Sequence, residues 1–125
     1  MASPSTADRL EHVARSIAAI ENYWAGKTFA DYMANEPLRA ATERHLLIIA
    51  EAAKGISLAD RASEPSVPWP DVIGLGNIVR HGYDIVDEKR IWAIVEGELG
   101  VMKLAVAAIR EKYGSLFEFS KSGLR

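Results

Sequence analysis

The chain has 125 residues, 49% of them hydrophobic, which suffices for one domain with one core and is too short for two. Its 15 basic and 17 acidic side chains leave a formal charge of -2, which argues against a general electrostatic grip on nucleic acid; any such contact must be local. No cysteine is present, which excludes disulfides, thiolate metal ligands and zinc fingers and makes a reducing cytosol the natural setting.

Met1 to Thr6 are polar and lack the apolar run of a signal peptide, and apolar stretches elsewhere are broken by charges well short of a membrane span. A soluble, cytoplasmic protein is expected. From Asp8 to Trp24 the apolar residues Leu10, Val13, Ala14, Ile17, Ile20 and Trp24 recur at three-four spacing and draw one stripe on a helix. Ser5 to Asp8 provide a capping-box start and Gly26 a stop. A second helix is expected from about Pro37 to Gly55. Its middle, His45 to Ala50, is apolar nearly all round, so neighbouring helices or a partner subunit should cover it on several sides.

Ser57 to Pro70, with Pro65, Pro68 and Pro70, reads as the one long connection. Pro70 can open a third helix that ends near Asp84, with Asp71 in its first turn. A fourth, from about Asp87 to Tyr113, repeats Ile91, Ile94, Val95, Leu99, Met102, Val106 and Ile109, with Gly114 as its end and a weakly structured tail beyond. Nothing alternates with period two for long enough to make a sheet. The expected fold is all-α, an up-and-down bundle with mostly short connections. Gly74, Gly76, Gly97 and Gly100 lie inside helices, where each costs about 1 kcal/mol relative to alanine, and together they point to close helix approach within the chain or across a dimer.

Metal-binding bundles use Glu-x-x-His pairs, and none occurs here. Of the three histidines, His12 reads as a partly exposed surface residue and His45 as a packed or interface one. No metal and no cofactor is expected. Neither a phosphate-cradling Gly-x-x-x-x-Gly-Lys-Ser/Thr loop nor a serine-nucleophile motif is found. What remains is Leu75 to Val86, which puts Asn77, Arg80, His81 and Tyr83 within two helical turns. Asn77 and His81 stand one above the other, Gly76 lies beneath Arg80, and Arg80 lies beside Tyr83 and Asp84.

Alone, a histidine at a helix end is more often structural, since it can cap carbonyls. Arg80 can equally be a surface residue paired with Asp84, and Tyr83 an interface aromatic. Together they form a minimal set for metal-independent RNA cleavage. Imidazole moves a proton near neutrality, guanidinium stabilises charge on phosphate, and Asn77 can orient the ring. One histidine cannot readily be base and acid together, but a two-fold dimer supplies a second.

The segment closely resembles the signature of the HepT-like toxins of the HEPN superfamily, in which an arginine, usually followed by asparagine, precedes His-x-Tyr by four intervening residues. Asn77, His81 and Tyr83 match; Gly76 stands where the arginine usually is. Arg44 to Ala53 is similar to that family's arginine, apolar run and Glu-Ala-Ala. Pro68 to Ile73 resembles the lead-in to the signature helix, and Asp84 to Asp87 its exit. The resemblance implies a four- to five-helix HEPN-like bundle that dimerises with its signature helices facing each other. It further implies a toxin paired with a minimal nucleotidyltransferase antitoxin, with RNA as substrate. His81 would be the catalytic histidine, Asn77 a supporting residue and Tyr83 the acceptor of AMP from the antitoxin. Arg80, one turn beyond Gly76 on the same face, would replace the family arginine. The departure at Gly76 equally allows a non-catalytic module that binds a nucleotidyltransferase or nucleotides through the same cleft.

Overall fold

The computed structural model describes residues 5–81 and 85–123. Its elements are α1 (Thr6–Trp24), α2 (Phe29–Ala34), α3 (Glu36–Lys54), α4 (Leu58–Ala62), α5 (Trp69–His81), α6 (Ile85–Ala93), a π-helical turn (Ile94–Glu98) and α7 (Leu99–Gly123). No strand occurs among the described residues, and the fold is the expected all-α, HEPN-like bundle. No helix among them is long and apolar enough to cross a membrane.

The first helix starts where its cap places it. Ser5 Oγ accepts the Asp8 amide at 3.1 Å while the Asp8 carboxylate accepts the Ser5 amide at 3.2 Å, so two amides at the helix start are satisfied. Leu10, Val13, Ile17, Ile20 and Trp24 are all buried on one face. Gly26, at φ 72°, takes the left-handed conformation that lets the chain leave α1. The sequence reading has no counterpart for α2, whose six residues are too short for a periodic stripe. A second capping box, Thr28 with Asp31, starts it, and it inserts Tyr32 between Trp24 and Trp92 at ring separations of 5.0 and 5.3 Å.

Asn35 closes α2 and opens α3, accepting the Leu38 amide at 3.1 Å. Leu46, Ile49, Ala50 and Ala53 of α3 are buried, whereas Leu47 and Ile48 are only partly covered. Within this chain α1 and α5 cover the apolar middle of α3, leaving Leu47 and Ile48 partly open. The expected long connection contains α4, which Ser57 caps by accepting the Asp60 amide at 3.1 Å. Helix α4 is held to the bundle by Asp60, which receives hydrogen bonds from Lys112 at 2.6 Å and Tyr113 at 2.5 Å.

In space, α3 packs against α1 and α5, and α7 packs against α1. Trp69, Val72 and Leu75 form the buried stripe of α5. The expected fourth helix begins earlier, at Ile85, and is interrupted by the π turn, whose wider winding keeps Ile91 and Ile94 in the core together with Leu99, Met102, Val106 and Ile109. Gly114 does not end it: α7 continues to Gly123, so the weakly structured tail is corrected to helix through that residue. A single internal glycine costs about 1 kcal/mol, too little to stop a helix this long when no proline follows. Among the described residues the expected close approaches at Gly74, Gly97 and Gly100 are absent, since a Cβ at any of them would meet none of their atoms within 4 Å.

Candidate active site

Buried Val72 and Leu75 orient α5 on α3, which leaves Asn77 and Arg80 exposed on its outer side while Gly76 is buried. Arg80 turns back along its own helix towards α3. Its Nη2 lies 3.8 Å from Oε1 of Glu51, and its Nη1 would be 3.4 Å from a Cβ built on Gly76. The guanidinium thus lies against Gly76, in van der Waals contact with where its Cβ would stand. Asp84, the partner expected from sequence, lies outside the described residues, and Glu51 is the partner that the structure gives.

That orientation makes Arg80 one wall of a cleft of about 310 Å³ between α1, α3 and α5. Arg9 and His12 of α1, Arg44 and Glu51 of α3 and Arg80 carry its polar groups, over an apolar floor of Leu47, Ile48 and Ala52. Arg9 is placed by tertiary structure: its Nη1 donates to the Glu51 carbonyl at 3.4 Å, and its side chain crosses Gly55 where any Cβ would collide with it. Glu51 is engaged by Lys54 at 3.2 Å as well as by Arg80. Among the described residues, three guanidiniums and one carboxylate line the cleft, a net positive set suited to the bidentate binding of phosphate oxygens.

His12, read from sequence as a surface residue, is exposed but also lines this cleft and an adjoining hollow with Arg15, Ser16, His45 and Ile48. His45 is packed, as expected. Its Nδ1 lies 3.0 Å from Ser16 Oγ and its Nε2 3.1 Å from Tyr23 OH, which fixes the ring between α1 and α3. Burial, and secondarily neighbouring Arg44, holds its pKa below the usual imidazole value. A hydrogen-bonded, neutral imidazole of this kind is a structural element.

Of the residues singled out from sequence, Arg80 joins the cleft and Asn77 is exposed without lining it. The backbone of His81 closes α5 one residue beyond Arg80, while its side chain, like the whole of Tyr83, lies outside the described residues. The sequence reading did not single out Arg9, His12, Arg44 or Glu51 for the site. The available signal was helical spacing: Arg9 with His12, and Arg44 with Ile48 and Glu51, each fall on one helix face. Among the described residues no group of three His, Asp or Glu side chains is arranged to hold a metal ion.

An all-helical bundle with a signature helix bordering an arginine-lined cleft defines a protein of the HEPN type. The family model described as "Ribonuclease HepT-like" matches residues 13–109, and the chain belongs to that family. It is 33% identical over 81 residues to "Putative RNase MJ1380" of Methanocaldococcus jannaschii, an alignment covering 65% of this chain and 74% of that protein. It is 29% identical over 96 residues to "Probable ribonuclease HepT" of Thermococcus cleftensis, covering 77% of this chain and 87% of that protein. With "Putative RNase TTE0752" of Caldanaerobacter subterraneus subsp. tengcongensis it shares 28% identity over 103 residues, or 82% of this chain and 92% of that protein. No solved structure gives a significant match.

Proposed function

We propose that this chain is a single HEPN-like domain and the toxin of a toxin–antitoxin pair, a cytoplasmic RNA endonuclease that needs no metal or cofactor and works as a homodimer. The observation that carries the reading is the position of Arg80. Its guanidinium lies against Gly76 and faces a basic cleft, one residue from His81. In the proposed reaction the ribose 2′-hydroxyl loses its proton to one His81 and attacks the adjacent phosphorus. The O2′–P bond forms, the P–O5′ bond breaks, and the 5′-oxygen takes a proton from the His81 of the second protomer. The products are a 2′,3′-cyclic phosphate and a 5′-hydroxyl. Arg80 stabilises the charge on the phosphoryl oxygens and Asn77 orients the imidazole. A minimal nucleotidyltransferase antitoxin transfers AMP from ATP to Tyr83, the phenol oxygen bonding to the α-phosphorus as pyrophosphate leaves and the phenol proton passes to solvent, and so silences the toxin.

Incubating purified protein with an RNA pool in excess chelator tests this directly. Fragments ending in 2′,3′-cyclic phosphate, abolished by His81→Ala in a protein that still folds, are expected; that loss should be about 10²–10⁴-fold in rate. Sedimentation should give a dimer, whose interface should bury on the order of 2,000 Å². A monomer at micromolar concentration would remove the two-histidine mechanism. Gly76 favours a second reading, a non-catalytic HEPN module that binds a nucleotidyltransferase or nucleotides. Absence of cleavage together with normal partner binding would select it.

A further inference from the structure

We infer that the cleft between α1 and α3 is a subsite for one nucleotide of single-stranded RNA. In this subsite Arg9 and Arg44 grip a phosphodiester, His12 supplies a polar contact, and Leu47 and Ile48 form the surface on which the base lies. The choice of RNA as the occupant rests on the ribonuclease reading above. The cleft itself rests on three independent features.

The first is charge. The chain as a whole carries -2, yet among the described residues this concavity gathers Arg9, Arg44 and Arg80 with one carboxylate, that of Glu51, itself engaged by Lys54 and Arg80. A local concentration of arginine on an acidic protein is the electrostatic footprint of a specific phosphate contact. The second is construction. Arg9 is held across the end of α3 by the Glu51 carbonyl, in a gap that exists because residue 55 is glycine. That hydrogen bond, at 3.4 Å, ties the Arg9 guanidinium to the α3 side of the cleft. The third is composition and size. Charged walls over the partly covered, aliphatic Leu47 and Ile48 offer an anionic phosphate its partners and a base an apolar surface for van der Waals contact. A volume of about 310 Å³ stands at the lower end of the ~300–1,000 Å³ range of small-molecule sites, and so admits one nucleotide unit of a strand. Arg80 borders both this cleft and His81, so a strand held here runs past the catalytic helix.

The test uses the full chain carrying His81→Ala, so that RNA stays intact, and a short fluorescein-labelled single-stranded RNA read by anisotropy across a salt series. Arg9→Ala with Arg44→Ala should weaken binding about ten-fold or more at low salt. The slope of log K against log salt should fall by about 0.7 per arginine removed. Gly55→Ala, which displaces Arg9 without removing charge, should weaken binding while keeping the slope. Arg44→Lys should keep the slope as well, and circular dichroism reports that each variant folds. Lys103→Ala, whose residue pairs with Glu21 away from the cleft, should change neither quantity. Unlabelled RNA should displace the probe at concentrations where AMP does not. An unchanged affinity and slope in the folded double variant overturns the inference, as does binding of AMP without binding of RNA. Arginine-dependent RNA binding, together with no cleavage of RNA by the chain that retains His81, would leave the subsite standing and remove the ribonuclease reading. Cleavage with unaltered KM by Arg9→Ala with Arg44→Ala in the chain that retains His81 would do the reverse.

Discussion

Arg80 lies over Gly76, with Nη1 3.4 Å from where a Cβ at residue 76 would stand. The family arginine is missing at one position, and a guanidinium from the next helical turn occupies the space beside it. If the two positions serve one cleft, the arginine should be exchangeable between them. Arg80→Ala is expected to lower the turnover of RNA by about 10²–10³-fold, the usual loss when one preorganised donor to a transition-state oxyanion is removed. Adding Gly76→Arg to Arg80→Ala should restore a large part of it. Single-turnover cleavage by the three proteins measures this, and full activity in Arg80→Ala alone would show that Arg80 has no part in the chemistry.

What was legible in the sequence is what is decided locally. The start of α1 follows from Ser5 and Asp8 three residues apart, and its burial from the stripe Leu10 to Trp24, so both match the structure closely. Helix α2 escaped because six residues carry no period, although Thr28 and Asp31 repeat the same cap. Helix α4 was hidden inside a proline-rich stretch, where its decisive residue, Asp60, acts through Lys112 and Tyr113 from far along the chain. Gly55 and Gly114 both read as helix stops. Gly55 also makes room for Arg9, and α7 runs on past Gly114. The signature on α5 was readable as a short segment, whereas the cleft it borders is assembled from Arg9, Arg44 and Arg80 on three helices.

Asp60 is the polar anchor that joins α4 to α7, and removing it should loosen both. Its carboxylate is buried and accepts from Ser57 Oγ at 2.9 Å besides Lys112 and Tyr113. Asp60→Ala leaves those donors without their acceptor, a change expected to cost about 1–3 kcal/mol in urea unfolding. The hydrogen bond from Lys112, then that from Tyr113, holds the Asp60 pKa below the ordinary carboxylate value. The folded pKa is depressed, so the stabilisation is complete above the unfolded value of about 3.9 and is lost as pH falls through the folded value. Asp60→Asn should therefore flatten the acid limb of the stability profile below about pH 4. An acid limb identical to wild type would show that other carboxylates set it.

His45 predicts a second, milder pH dependence of the opposite origin. Burial and Arg44 lower its folded pKa, so the unfolded chain binds the proton more readily than the folded one. Stability is then highest above the unfolded value of about 6.5 and declines as pH falls through it towards the folded pKa. Denaturant midpoints measured from neutral pH downwards should fall in wild type, and the part of that fall due to this residue should vanish in His45→Gln. Ring-proton NMR reads the site itself, and an imidazole titrating at or above the ordinary value would contradict the packing argument.

Tyr83 carries the regulatory half of the proposal, because it follows His81 by two positions and the signature places an AMP acceptor there. By sequence, AMP on Tyr83 brings an anionic phosphate and a bulky base two residues from His81 and three from Arg80, which lines the cleft. The modification should therefore exclude RNA through volume, and through charge by occupying Arg80 with its own phosphate. Co-expression with a nucleotidyltransferase encoded beside this gene, followed by intact mass and peptide mapping, should show one AMP unit on Tyr83. The modified protein should have lost RNA cleavage. Tyr83→Phe should stay unmodified and, if it still cleaves RNA, should remain toxic in the presence of the partner. Neutralisation of an active Tyr83→Phe protein by that partner would mean that inhibition here runs through binding alone.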